Sequence, residues 1–184
     1  MITKKASASP TRFTTGKVRL SYVTVFTPRA IEAGQEEKYS VSIIIDKDDK
    51  VTLDAYNKAL AAAYAAGADK LGKNGKVPPL SAVKCPLSDG DLKDDEAYHG
   101  KWFINANSKN KPDVVDSNLQ KILDPMELKS GDYGRVSINL YAFDKKSKGI
   151  AAGLGNVQKL EDGEPLGSTV AATTDFGGDN DDDI

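Results

Sequence analysis

Arg135, Tyr141 and Phe143 fall on one side of an alternating stretch, DYGRVSINLYAFD (132–144), while Val136, Ile138, Leu140 and Ala142 fall on the other. A sheet side that carries arginine and aromatic rings is suited to stacking on nucleobases and contacting phosphates. The guanidinium can do either, and a ring accepts any base, so binding of this kind has little sequence preference. Lys145, Lys146 and Lys148 in the adjoining KKSKG turn add charge toward a phosphate backbone. Arg19, Lys101, Phe103, Lys109 and Lys111 extend the track if their strands neighbour this one. The competing reading is structural: Tyr141 and Phe143 pack under a helix or loop, and the lysines are a solvated turn.

Catalytic chemistry finds less support. The single histidine, His99, sits in the polar stretch DDEAYHGKW, far in sequence from the single cysteine, Cys85. The chain has no G-x-S-x-G, H-E-x-x-H or G-x-x-x-x-G-K-[ST] motif. Asp89, Asp91, Asp94, Asp95 and Glu96 form an acidic run, but its glycine and terminal glutamate are misplaced for an EF-hand loop. Two-metal phosphoryl transfer needs carboxylates converging from rigid elements, whereas these lie in a loop. No enzymatic activity, metal site or cofactor is expected. One cysteine excludes an internal disulfide and suits a reducing compartment.

The charge is divided along the chain. It holds 25 Lys+Arg against 27 Asp+Glu, a formal net of −2. Five of those acids (Asp175, Asp179, Asp181, Asp182 and Asp183) fall in the last ten residues, DFGGDNDDDI, with Phe176 and Ile184. Without them 25 basic residues face 22 acidic ones, so a body of +3 carries an acidic tail. Such a tail has too little apolar surface to offset its ordering entropy and is expected to be disordered. It is placed either to compete with a polyanion for the basic surface and recruit a basic partner, or simply to keep the protein soluble.

These residues must be positioned by a mainly β scaffold. Residues 1–15 read as a loose polar arm, 16–167 as one domain and 168–184 as the tail. KVRLSYVTVF (17–26) alternates, with Val18, Leu20, Tyr22 and Phe26 on one side and Lys17, Arg19, Ser21 and Val23 on the other; Pro28 should end it. YSVSIII (39–45) is a second strand, with Tyr39, Val41, Ile43 and Ile45 inward, antiparallel to the first. Leu53, Tyr56, Leu60 and Tyr64 recur at helical spacing, and Gly67 is the expected C-cap. Residues 68–100 read as long loops, a functional or partly mobile excursion. KWFINA (101–106) is a short strand, and Ile150–Leu160 returns from the lysine turn. At least five strands around one helix fit a small antiparallel barrel, and an incomplete sandwich fits almost as well. An exposed barrel edge leaves pairing with a second copy open. The N-terminal stretch has no signal-peptide core, and no run reaches the length of a membrane helix, so no membrane partner is expected.

Three stretches in order carry a resemblance: KVRLSYVTVFTPR with KYSVSIIIDKDD; GKWFINANSKNKPDVVD; and GDYGRVSINLYAFDKKSKGIAAGLGNVQKLEDGEPLG. Over residues 12–167 the chain resembles a bacteriophage family of single-stranded DNA-binding proteins, distantly similar to those of T7-like phages. The resemblance implies an OB-fold barrel that binds single-stranded DNA during replication or recombination, in the cytoplasm of the infected bacterium. It also implies that the tail (Asp175, Phe176, Asp179, Asp181, Asp182, Asp183, Ile184) competes with DNA and contacts phage or host replication and recombination proteins. The rival class is a protein-interaction or structural module on the same barrel.

Overall fold

The computed structural model describes residues 9–30 and 32–166. The alternation that defines its centre is the one read from the sequence. In β7 (Tyr133–Phe143) Val136, Ile138, Leu140 and Ala142 are buried, and Arg135, Asn139 and Tyr141 are exposed. The strand turns back at the lysine-rich tip into β8 (Gly149–Glu161), which pairs with it antiparallel from Phe143↔Gly149 to Tyr133↔Glu161.

The other strands are β1 (Arg12–Thr14), β2 (Val18–Arg29), β3 (Lys38–Asp46), β4 (Leu87–Asp89), β5 (Lys101–Ser108) and β6 (Val114–Val115). Antiparallel pairing links β2 to β3 and β3 to β5. β5 then meets β8 in parallel at Ala106↔Ala152 and Asn107↔Gly153, and β7 meets β2 at Val18↔Gly134 and Arg19↔Tyr133. The pairings return to the strand they started from, through two short joints. β4 lines the first half of β5, where β8 has diverged, and Lys84 just before it bridges to Gly149. The parallel joint departs from the all-antiparallel expectation.

α1 (Lys50–Ala66) forms where the three-and-four spacing predicts it. Asp49 accepts from the Thr52 N–H at its start, and the Gly67 N–H donates to the Ala63 carbonyl at its end. Tyr56, Ala59, Leu60 and Ala63 bury a stripe against β1 and β7; Leu53 and Tyr64 are only half-buried. The core joins this stripe to Leu20, Val41, Ile43, Ile45, Ile104, Val136, Ile138, Leu140 and Val157. Burying a side chain of this kind stabilises by about 1.5–3 kcal/mol, so the interior between the sheet and α1 dominates the fold.

Four sequence expectations change. First, β2 does not keep one phase. Tyr22 takes φ +46°, a left-handed conformation costly for an aromatic residue, and a register shift follows between Ser21 and Thr24. The bulge turns Tyr22 out to 60% exposure and brings Val25 into the core. Second, β2 runs through Pro28, because past Arg19 it pairs only with β3 and its far edge needs no N–H. Third, Arg12–Thr14 of the expected arm forms β1 beside β7. Fourth, residues 68–100 are built structure: a one-turn helix α2 (Ala68–Leu71), a tight Lys73–Lys76 turn, β4, and 3-10 turns that lay Tyr98 over the outer side of β3. The acidic tail lies outside the described residues.

Candidate nucleic-acid interface

The outward side of β7 presents, in order, Tyr133, Arg135, Ser137, Asn139, Tyr141 and Phe143. At about 3.3 Å per residue this line is roughly 26 Å from Tyr133 to Tyr141.

At the Tyr133 end it opens into a cleft of about 180 Å³ lined by Lys17, Arg19, Ile44, Asp46, Ala97, Lys101 and Tyr133. Register explains the convergence: Arg19 lies opposite both Tyr133 and Ile44, and Ile44 lies opposite Phe103. One cross-strand row therefore carries Tyr133, Arg19, Ile44 and Phe103. Lys17 Nζ lies 5.2 Å and the Arg19 guanidinium carbon 5.7 Å from the Tyr133 ring centre, cation–π distances that orient both groups on its face. Arg19 also donates to the Gly131 carbonyl at 3.2 Å and the Glu164 carbonyl at 2.8 Å. Lys17 pairs with Glu161 at 2.5 Å, and Lys101 with Asp46.

Along β7, Arg135 Nε donates to the Thr15 carbonyl at 3.0 Å. Arg12, exposed on β1, reaches Ser137 Oγ at 3.1 Å. At the far end Tyr141 is 43% exposed, Phe143 is half-buried, and Lys145, Lys146 and Lys148 are exposed on the turn.

The predicted residues thus divide. Arg19, Phe103 and Lys101 meet at one end of β7, and Tyr141, Phe143 and the three turn lysines lie at the other. Arg135 stands between them. Lys109 and Lys111 follow the opposite end of β5, roughly 23 Å along the strand from Lys101. Lys109 pairs there with Glu36 at 2.9 Å, and Lys111 lines a separate cleft with Phe26 and Ile122. Sequence reasoning missed Arg12, Lys17 and Tyr133 as site residues. Tyr133 shares the phase of Arg135 and Tyr141, and Lys17 that of Arg19, so alternation alone could have added both.

A second aromatic group flanks the row. Lys93 Nζ lies 4.0 Å from the Tyr98 ring centre and 5.0 Å from those of Tyr22 and Phe103. Tyr98 packs edge-on against Phe103 at 5.1 Å and donates to Ser42 Oγ at 2.8 Å. The outer side of β3 is therefore closed by the chain itself, and the open surface is that of β7 and its ends. Asp89 and Asp91 of the acidic run both clamp Lys47 at 2.9 Å. Hydrogen bonds from the Asp91 N–H to Asp89 and from the Gly100 N–H to Asp91, joined by those from Lys47, hold both carboxyls below the usual carboxylate range. Among the described residues no group of three or more His, Cys, Asp or Glu is placed to hold a metal ion, and no helix is long and apolar enough to cross a membrane.

The family described as the Enterobacter phage Enc34 ssDNA-binding protein matches residues 11–184. The chain belongs to this family. The chain is similar to the Enc34 single-stranded DNA-binding protein solved in complex with ssDNA, at 28% identity and a TM-score of 0.70, covering 85% of this chain and 90% of that one. It is also similar to putative protein p50 of Acyrthosiphon pisum secondary endosymbiont phage 1, 27% identical over 167 residues, which covers 86% of this chain and 89% of that protein. The fold is shared with gp2.5, a single-stranded DNA-binding protein of bacteriophage T7, at 17% identity and a TM-score of 0.60, over 86% of this chain and 96% of that one.

Proposed function

We propose that this protein binds single-stranded DNA along the outward side of β7, without sequence preference. The observation that carries the reading is the line of rings and cations from Tyr133, Lys17 and Arg19, past Arg135 and Arg12, to Tyr141 and the turn lysines, in a chain of this family. Rings stack on bases while cations neutralise phosphates, so affinity falls with salt. The pairing order β2-β3-β5-β8-β7 and back to β2 supports reading the scaffold as an OB-fold, a five-stranded partly open barrel whose surface suits oligonucleotides. Coating the strand would keep it open and protected during phage replication or recombination in the infected cell. The tail from Asp175 to Ile184 would compete with DNA for the basic surface, and would be released to replication proteins once DNA occupies it.

The test is fluorescence anisotropy with labelled oligo-dT, duplex DNA and single-stranded RNA at two salt concentrations, using the full chain and a protein ending at Thr174. Salt-sensitive preference for oligo-dT, tighter without the tail, is the expected result. Absence of binding by both forms at micromolar protein would overturn the reading in favour of a protein-interaction module.

A further inference from the structure

The cations of the Tyr133 cleft are already engaged, Lys17 and Lys101 by carboxylates and Arg19 by carbonyls. At the other end of β7 no lysine pairs with a carboxylate among the described residues, and the lysine turn there is not alone. Lys148 Nζ donates to the Gly72 carbonyl at 2.7 Å, which ties the turn to the segment that follows α1. The Ile150 N–H donates to the Lys84 carbonyl at 2.8 Å, which ties it to the approach to β4. Lys70 and Tyr141 line the same cleft of about 240 Å³. Residues 67–85 and 143–149 thereby assemble Lys70, Lys73, Lys76, Lys84, Lys145, Lys146 and Lys148 on one surface, all exposed. Their only acids are Asp69 and Asp144, a local net of +5 against +3 for the whole chain without its five tail aspartates. None of the seven enters an ion pair among the described residues.

Lys73 and Lys76 are held directly opposite each other. Asn74 at φ +54° and Gly75 at φ +75° form the two-residue turn with both centres left-handed, and Lys73 and Lys76 exchange backbone hydrogen bonds of 2.9 and 3.1 Å. Like charges facing across a ladder destabilise it, so this placement works against folding and in favour of an anion laid across it.

We propose that the Lys70–Lys76 segment and Lys84 form, with the β7–β8 turn, the main phosphate-binding surface for single-stranded DNA. This inference rests on the DNA-binding reading above and adds lysines that were not among the contact residues expected from the sequence. Neutralising Lys70, Lys73 and Lys76 together to glutamine removes contacts each worth about 0.7 in the slope of log affinity against log salt for a single strand. The expected result with oligo-dT is a slope shallower by about 2, with a melting temperature without DNA equal to or above that of the parent. A triple Lys50→Gln, Lys58→Gln, Lys121→Gln variant should keep the parent slope. If the Lys70–Lys76 variant keeps the parent slope while Lys145→Gln, Lys146→Gln, Lys148→Gln flattens it, the inference is overturned and the DNA reading stands. A lower melting temperature alongside the loss would assign these lysines to folding and also overturn it. If the parent itself does not bind oligo-dT, both fall.

Discussion

Tyr141 separates stacking from packing. It stands opposite Ala151 on β8, and a Cβ built on Gly153 would lie 3.5 Å from its ring. The ring therefore covers the Gly153 backbone, and 43% of the residue remains open to solvent beside Lys70 and Asn139. If a base stacks there, losing the ring costs about 1–3 kcal/mol, or roughly a 5- to 150-fold rise in Kd. Alanine would confuse the result by uncovering Gly153. Leucine keeps an apolar cover and removes the π face; at a half-open site the exchange costs below about 1.5 kcal/mol, or a melting shift of a few degrees, at about 2–4 °C per kcal/mol. Tyr141→Phe keeps the face and loses only the hydroxyl. The assay is oligo-dT anisotropy at fixed salt, beside a thermal melt without DNA. Tyr141→Phe should bind within about twofold of the parent and Tyr141→Leu at least about fivefold more weakly. A Leu variant that binds like the parent would refute stacking, as would a Phe variant that loses as much as Leu.

Three further substitutions test the scaffold. Gly67→Ala would set its Cβ 2.2 Å from that of Ala142 and 3.0 Å from the Ala63 carbonyl oxygen, so the end of α1 must lift from β7. A cost of about 1–3 kcal/mol should lower the urea midpoint at unchanged slope, and an unchanged midpoint would contradict the packing. Tyr98→Phe leaves the buried Ser42 hydroxyl without its donor; a loss of about 1–3 kcal/mol is expected in the same assay, and no loss would show that Ser42 finds another partner. The buried Asp132 carboxyl lies below the usual carboxylate range: burial pushes it up, but the Lys129 and Gly163 N–H groups and the Lys129 and Lys159 ammonium groups outweigh that. Unfolding then takes up a proton. The carboxylate's contribution is complete above the unfolded value of about 3.9 and is lost as pH falls through the lower folded value. Asp132→Asn should flatten the acid limb of a stability–pH curve, and an equally steep limb in the variant would contradict the assignment.

What the sequence made legible was the part with uninterrupted period. β7 alternates without a break, so the side of each of its residues was readable, and α1 shows its helical spacing up to the glycine that ends it. β2 was readable only to Ser21. The bulge at Tyr22 is imposed by pairing with β3, and an alternating string has no mark for it. The β5–β8 joint was hidden because parallel partners lie far apart in sequence. Residues 68–100 have little period because they are short turns that cover other elements. Yet Asn74–Gly75 is the usual pair for a tight hairpin, and reading it would have placed two lysines side by side. For the candidate site, alternation placed Arg135 and Tyr141 on the outward side of β7 and Arg19 in phase with Lys17, but could not show that β1 brings Arg12 to Ser137.

The division between lysines paired with carboxylates and lysines that are not also explains how a body of only +3 can serve a polyanion. On the DNA-binding reading, a phosphate entering the Tyr133 cleft must displace Glu161 from Lys17 or Asp46 from Lys101. Both are solvent-exposed pairs of the kind worth about 0–1 kcal/mol, so the exchange is cheap but gains little net charge attraction. The lysine surface at the other end of β7 has no such competitor among the described residues. Its field should set the encounter rate and most of the salt dependence. The cleft, with Tyr133 fixed between two cations, should set how the strand is held once it arrives. Neutralising the lysine surface should therefore act mainly on the association rate, while Tyr133→Leu should act mainly on dissociation. Stopped-flow fluorescence separates the two, and equal effects of both variants on the association rate would refute this division of labour.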